Sequence, residues 1–265
     1  MKKFIYLMTT IALVAGMALL SGCGSSEDKG TLTVGLDDTF APMGFRDKDD
    51  NLVGVDIDLA KAVGKKLGIK VEFQPIDWDA KEAELKSKNI DCVWNGMSAT
   101  KDRQKSMTLS NKYFNNKILV MSLDKGINIK SSADLKNYKV GTQADSAALE
   151  SVKADKNYDS FADNVSEYPT YDEAILDMKA GRIDVIVIDE VYALYNNKNK
   201  TKLYQSDFDF GSDKYAVGFR KGDKELAVKV NDAIQECIDD GTADKICEKW
   251  FGKGSSLIIK EGYDN

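Results

Sequence analysis

Few residue types in this chain of 265 residues can do chemistry, and the absences narrow the field first. Histidine is missing, and arginine occurs only as Arg46, Arg103, Arg182 and Arg220. Without histidine there is no usual general base near neutral pH, no Ser-His or Cys-His nucleophile pair, and none of the commonest metal ligand. What remains is recognition of charge. Arg103 carries a planar fork suited to a carboxylate, yet within Lys101-Asp102-Arg103-Gln104-Lys105 it also reads as a solvated helix residue. Asp189 follows the apolar run Val185-Ile186-Val187-Ile188, at the C-terminal edge of a buried strand. Open α/β sheets bind ligands at such edges, but Asp189 is equally placed to cap a helix that starts at Glu190. Ser98 and Ser146 lie near predicted helix starts and read either as caps or as donors to an anion.

The elements that must position these residues alternate. Thr31–Leu36 reads as a strand and Val55–Leu67 as a helix, with Leu59, Ala60, Val63 and Leu67 on one face and Gly68 at the stop position. Ile69–Phe73 and Ile90–Trp94 read as strands, with a helix over Trp78–Lys86 between them. Further on come a strand over Lys117–Leu123, a strand over Tyr138–Gly141 leading into a Ser146–Val152 helix, and a capping box at Thr170-Tyr171-Asp172-Glu173. A buried strand over Ile183–Ile188 is followed by a helix over Glu190–Asn197. Helices over Asp223–Asp240 and Thr242–Trp250 complete the pattern. This alternation implies α/β layers with largely parallel sheets, in two units, the first stopping near Met121 and the second starting at Asp124.

Composition excludes other classes. The 43% apolar share supports a sizeable core, and a net charge of −6 leaves no basic field for nucleic acid. The N-terminus carries an export signal: Lys2 and Lys3, an apolar run from Phe4 to Leu20, then Leu20-Ser21-Gly22-Cys23 and an abruptly polar stretch. Residues 1–22 are expected to be a leader and 23–30 a flexible tether. Leu-Ser-Gly-Cys resembles the lipobox of bacterial lipoproteins, which implies lipidation of Cys23. Of the other cysteines, Cys92 reads as a small core residue. Cys237 and Cys247, around the Asp239-Asp240-Gly241 turn, read either as two buried thiols, the preferred reading, or as one bridge.

Six motifs in register carry a resemblance that spans most of residues 31–252. They are Gly54-Val55-Asp56-Ile57-Asp58-Leu59-Ala60; Asp91 through Ser98 with Arg103 five residues on; Ser131-Ser132-Ala133-Asp134-Leu135; Val140-Gly141-Thr142-Gln143-Ala144; Ala180-Gly181-Arg182-Ile183-Asp184-Val185 through Asp189; and Gly241-Thr242 followed by Lys249-Trp250-Phe251-Gly252. Together they resemble bacterial solute-binding family 3, the polar amino-acid receptors of ABC importers. The resemblance implies a two-lobe α/β fold of the periplasmic-binding-protein type (type II). Two hinge strands join the lobes, the chain crossing out near 121–124 and back near 213–218. Lobe 1 is expected over 31–121 plus 217–252, lobe 2 over 124–212, and a tail over 253–265.

The implied site follows. Arg103, Ser98 and Ser146 would hold a ligand carboxylate; Asp189 and the Gly96 carbonyl would hold an ammonium. Phe40 and Trp78, which pattern alone would place in the core, would sandwich the ligand side chain, and Asp37 and Gln143 would touch its far end. Asp145 stands where many relatives carry glycine, and Ala147 where threonine or glycine is common. An acid at 145 would either favour a cationic side chain or face water. The expected protein is an extracytoplasmic, lipid-anchored monomer without cofactor, metal or nucleic acid, handing an amino acid to a membrane permease and its ATPase. With Arg103 the only arginine near the first-lobe site and acids at 37, 38 and 145, a neutral polar ligand such as glutamine or cystine, or a basic one, is expected over an acidic one. The alternative is an enzyme resembling the cyclohexadienyl dehydratases that share the fold. A receptor sensing domain and a metal receptor fit less well.

Overall fold

The computed structural model describes residues 30–199 and 201–260; the expected leader, Cys23 and the tether as far as residue 29 lie outside the described residues. The first part of the chain forms β1 (Thr31–Leu36), β2 (Thr39–Phe40), β3 (Gly44–Arg46), β4 (Leu52–Val53), α1 (Val55–Leu67), β5 (Lys70–Pro75), α2 (Lys81–Ser87), β6 (Cys92–Val93), α3 (Lys101–Ser106) and β7 (Met107–Leu109). The middle forms β8 (Phe114–Ser122), β9 (Val140–Gln143), α4 (Ala147–Ala154), β10 (Val165–Tyr168), α5 (Tyr171–Lys179), β11 (Val185–Asp189), α6 (Glu190–Asn199) and β12 (Tyr204–Tyr215). β13 (Gly218–Arg220), α7 (Lys224–Asp239) and α8 (Thr242–Phe251) follow.

Local chemistry accounts for the helix ends. α1 carries Asp56 and Asp58 in its first turn and Lys65 and Lys66 in its last, each charge facing the favourable end of the helix dipole. Gly68 then adopts φ 68°, and its N–H returns to the Gly64 and Lys65 carbonyls; glycine enters that left-handed region without a Cβ penalty. Leu59, Ala60 and Val63 are buried on the predicted face. At α5 the Thr170 hydroxyl accepts from the Glu173 N–H at 3.2 Å, as the sequence pattern anticipates.

Two five-stranded sheets make two lobes. The first has the order β5-β1-β6-β13-β7, the second β10-β9-β11-β8-β12, and a small β2-β3-β4 sheet belongs with the first. Each large sheet has one strand running against the rest. β13 is antiparallel to both its neighbours, and so is β8. These are the two strands that arrive from the other lobe without a crossover helix, and parallel pairing needs such a crossover. The chain passes outward between β7 and β8, at residues 110–113, earlier than the 121–124 expected from the family pattern. The first residues of β8, Phe114–Asn116, already pair with Tyr215–Asp213 of β12 in the second sheet. The return lies between Tyr215 and Gly218. Near the crossings β12 is tied to the first lobe, for the Ala99 N–H donates to the Lys214 carbonyl at 2.8 Å and the Tyr113 N–H to that of Tyr215 at 2.9 Å.

The core runs through both sheets, with Val34, Val63, Trp94, Val140, Val187 and Phe219 among its fully buried members. α1, α7 and α8 pack on one another in the first lobe, and α4 and α5 lie on β9 and β11 in the second. Cys92, Cys237 and Cys247 are buried free thiols, so the bridge reading of the last two does not hold. Among the described residues, no helix is long and apolar enough to cross a membrane.

Candidate functional site

The parallel strands of both sheets point their C-terminal ends at one cleft, and the predicted ligand-binding residues other than Arg103, which lies in α3, sit at or just beyond such ends. Asp37 and Phe40 follow β1, Trp78 follows β5, and Gly96 and Ser98 follow β6. Gln143 ends β9, Ser146 opens α4, and Asp189 ends β11. All of them line one cavity with an empty volume of about 280 Å³, together with Arg103, Asn95 and Ala147. Each is less than a tenth exposed, Phe40 6% and Trp78 8% being the least covered aromatic pair.

The cavity carries one cationic and one anionic pole. At the first, the Arg103 guanidinium is held by two carbonyls, Nη1 to Ser98 at 3.1 Å and Nη2 to Asp145 at 3.1 Å. A guanidinium has five N–H groups, so donors remain for a ligand. Its Nε is buried without a hydrogen bond, with only Glu150 Oε1 at 3.4 Å. Beside it lies the N-terminus of α4, which favours an anion. At the second pole Asp189 is buried and accepts from Asn116 Nδ2 at 2.6 Å, Tyr215 Oη at 2.7 Å and Tyr171 Oη at 3.0 Å. No lysine or arginine pairs with it among the described residues. Burial first, and then the neighbouring Asp213, push its carboxyl up from 3.8 to about 6, while the three donors pull it down. A cation beside it would relieve that cost.

Several expected roles change. The Ser98 hydroxyl donates to Asp213 at 2.6 Å, so its hydrogen is not free for a carboxylate. The cap of α3 is Thr100, which accepts from the Arg103 N–H at 3.3 Å. Ser146 does cap α4, accepting from Leu149 at 3.1 Å, but its own hydrogen goes to the Gln143 carbonyl at 2.7 Å. Both serines can therefore offer backbone N–H groups to an anion and hydroxyl lone pairs to a cation, but no further hydroxyl donor. Asp189 is not the cap of α6; the Val191 N–H is accepted by Asn116 Oδ1 at 3.4 Å. Asp145 neither faces water alone nor enters the cavity: its carboxylate pairs with Lys81, a buried cation that the sequence did not single out.

At the far end Gln143 Nε2 donates to Asp37 Oδ2 at 2.8 Å, across the two lobes. Burial raises the Asp37 carboxyl, with Thr39 and Gln143 opposing. Phe40 stacks on Tyr192 of the second lobe, centroids 5.7 Å apart at 19°, and Trp78 lies 5.7 Å from the Arg103 guanidinium carbon. Gly96 has φ 58°, and a Cβ there would come within 2.5 Å of the Phe40 ring. Its N–H donates at 2.6 Å to Asp56, a buried carboxylate that also accepts from Tyr113 Oη at 2.7 Å and is pushed by burial up to about 7. Sequence reasoning missed Asn95, Asn116, Asp213, Tyr171 and Tyr215, and the motif that contains Asp56 was seen without this role.

The two lobes, the two hinge strands and a charged cleft at the strand ends define a periplasmic-type binding protein. The chain belongs to the bacterial extracellular solute-binding proteins, family 3, which it matches over residues 32–253. It is 35% identical to the L-cystine-binding protein TcyJ of Escherichia coli (strain K12) over 256 residues, covering 91% of this chain and 92% of the relative. It is 32% identical to the L-cystine-binding protein TcyA of Bacillus subtilis (strain 168) over 274 residues, with 94% and 98% covered. Among solved structures, an ancestral arginine-binding protein bound to arginine superposes with a TM-score of 0.79 at 41% identity, covering 85% of this chain and all of the other.

Proposed function

We propose that the cleft binds one free amino acid for an ABC importer, with its α-carboxylate on Arg103 and the α4 N-terminus and its α-ammonium on Asp189. The observation that carries the reading is the pairing of poles across one small cavity. A buried guanidinium with unused donors faces a buried carboxylate that has neutral donors and no cation. Burying two opposite charges is costly unless each finds its partner, and an amino acid brings one for each. The serine lone pairs and the Gly96 carbonyl add acceptors for the ammonium. Phe40 and Trp78 flank the side chain, and Asp37 with Gln143 meets its far end. The lining then holds Asp37 and Asp189 against Arg103, which favours a neutral polar or basic side chain over an acidic one. The cystine-binding and arginine-binding relatives support that range.

An enzyme on this fold would need an acid or base free of ligand binding. Asp189 is the strained group of the cavity, and an α-ammonium accounts for its strain. For the N-terminus we propose that residues 1–22 are removed, that Cys23 is lipidated, and that a tether holds a monomeric binding protein outside the membrane. The function is tested by thermal shift and calorimetry of residues 24–265 against the common amino acids and L-cystine. Native-state binding raises apparent stability by mass action. Stabilisation by cystine, glutamine, arginine or lysine above glutamate and aspartate is expected. Tightest binding of glutamate or aspartate overturns the charge argument, and no amino-acid binding overturns the function.

A further inference from the structure

Lys81 is 1% exposed, deeply buried for a lysine, and it does not line the ligand cavity. Its ammonium stands over the Trp78 ring, 4.9 Å from the centroid, and donates to the Trp78 carbonyl at 3.1 Å. It then crosses to the second lobe, where it meets Asp145 twice, at the carbonyl (3.2 Å) and at the carboxylate. The same Asp145 carbonyl receives Arg103 from the first lobe at 3.1 Å. Asp145 holds φ 52°, in the left-handed region where an L side chain is disfavoured and glycine would sit without cost. The residue in that place has kept a carboxylate, and the carboxylate is spent on Lys81.

We infer that Lys81 and Asp145 form a clasp between the lobes that favours closure whatever the cleft contains, so that the pair sets affinity for every ligand alike and not the choice among ligands. Affinity for a cleft that binds when closed scales with the closed fraction. A contact made only between closed lobes raises that fraction without touching the ligand. Asp145, which as a lone acid would select for a cationic side chain, is neutralised by its partner and turned out of the cavity. The clasp rests on the reading of the cleft as a binding site that closes, but it has its own readout in the ligand-free protein.

The test uses Lys81→Met, which keeps the chain over Trp78, Asp145→Asn, and the double variant. Fluorophores on cysteines placed at the exposed positions Lys65 and Lys179, one on each lobe, report closure by energy transfer. Each single variant should lower the closed fraction of the ligand-free protein. Each should also weaken every ligand that binds the parent by a common factor of about two- to fivefold, the scale of an ion pair whose acidic partner is half exposed. The double variant should be no worse than either single. Unchanged energy transfer in folded variants overturns the clasp, and so does weakening confined to cationic ligands, which would make Asp145 a selectivity residue. Should Lys81→Met fail to fold, Asp145→Asn, whose side chain is half exposed, carries the test alone. A parent that binds no amino acid sinks the proposed function and still leaves the ligand-free comparison to be read.

Discussion

Asp189→Asn removes a charge from the cavity and leaves its hydrogen-bond network nearly whole. In the parent, Oδ1 accepts from Asn116 and Tyr215, and Oδ2 accepts from Tyr171. An asparagine with its amide oxygen in the Oδ1 place keeps the first two bonds. Its NH2 can donate to the Tyr171 oxygen once that hydroxyl turns. The folded carboxyl titrates near 6 against 3.8 for a free one, so the fold holds this proton more tightly than the unfolded chain does. The stability it gives is complete below the unfolded value and is lost as pH rises through about 6. By pH 7 the ionised group costs the ligand-free protein on the order of 3 kcal/mol. The variant escapes that cost, so its Tm without ligand should exceed the parent's at neutral pH, and the gap should close toward pH 4. Ligand binding should move the other way, since an ammonium loses its buried partner. The loss should be about 2–5 kcal/mol, or roughly 30- to 5,000-fold in Kd. For the same reason the parent should bind about tenfold more weakly one pH unit below the Asp189 pKa than well above it. Thermal denaturation across pH and calorimetry measure both. A variant that binds as tightly as the parent, or that is less stable without ligand at neutral pH, refutes the assignment.

Two further predictions concern the opposite pole and the N-terminus. Arg103→Lys keeps the charge but cannot span the Ser98 and Asp145 carbonyls while also forking a carboxylate; calorimetry should show Kd rising at least tenfold while Tm without ligand moves little, and unchanged affinity would remove Arg103 from the site. Cys23→Ser should release the protein from the membrane fraction of the producing cell and abolish acylation in intact-mass spectra; an unmodified Cys23 in the native protein would refute the anchor.

The strand ends were legible because chemistry and pattern coincide there. Asp189 follows four apolar residues, and Arg103 is one of four arginines in the chain. Helix α1 declared itself through its period and Gly68. The partners of the site were hidden because their local sequence is bland. Asn116 and Asp213 lie in hinge strands, and their polar faces meet only when β8 and β12 pair over 97 residues of chain. Lys81 sits in Lys81-Glu82-Ala83-Glu84, a stretch that reads as a solvated helix face, and its burial is decided by Asp145, 64 residues away. Hydroxyl direction was also beyond reach. A serine before a helix says that a donor or acceptor is present, but Asp213 and the Gln143 carbonyl decide where its hydrogen goes. The largely parallel sheets were anticipated, but the reversed strand in each was not, because nothing in the composition of β8 or β13 marks the direction from which the chain arrives.

The place of β13 has a consequence for how the polypeptide is made. It lies between β6 and β7 in the first sheet, so β7 has no strand to pair with until Gly218–Arg220 has been synthesised. α7 and α8, which cover α1, come later still. Once Tyr215 has been made every strand of the second sheet exists, while the first still lacks β13 and α1 is uncovered. Domains generally fold as units as they emerge, and here the first unit to begin is the last to finish. This strand order delays the native first lobe until almost the whole chain has left the ribosome, and the second lobe stands folded beside it in the meantime.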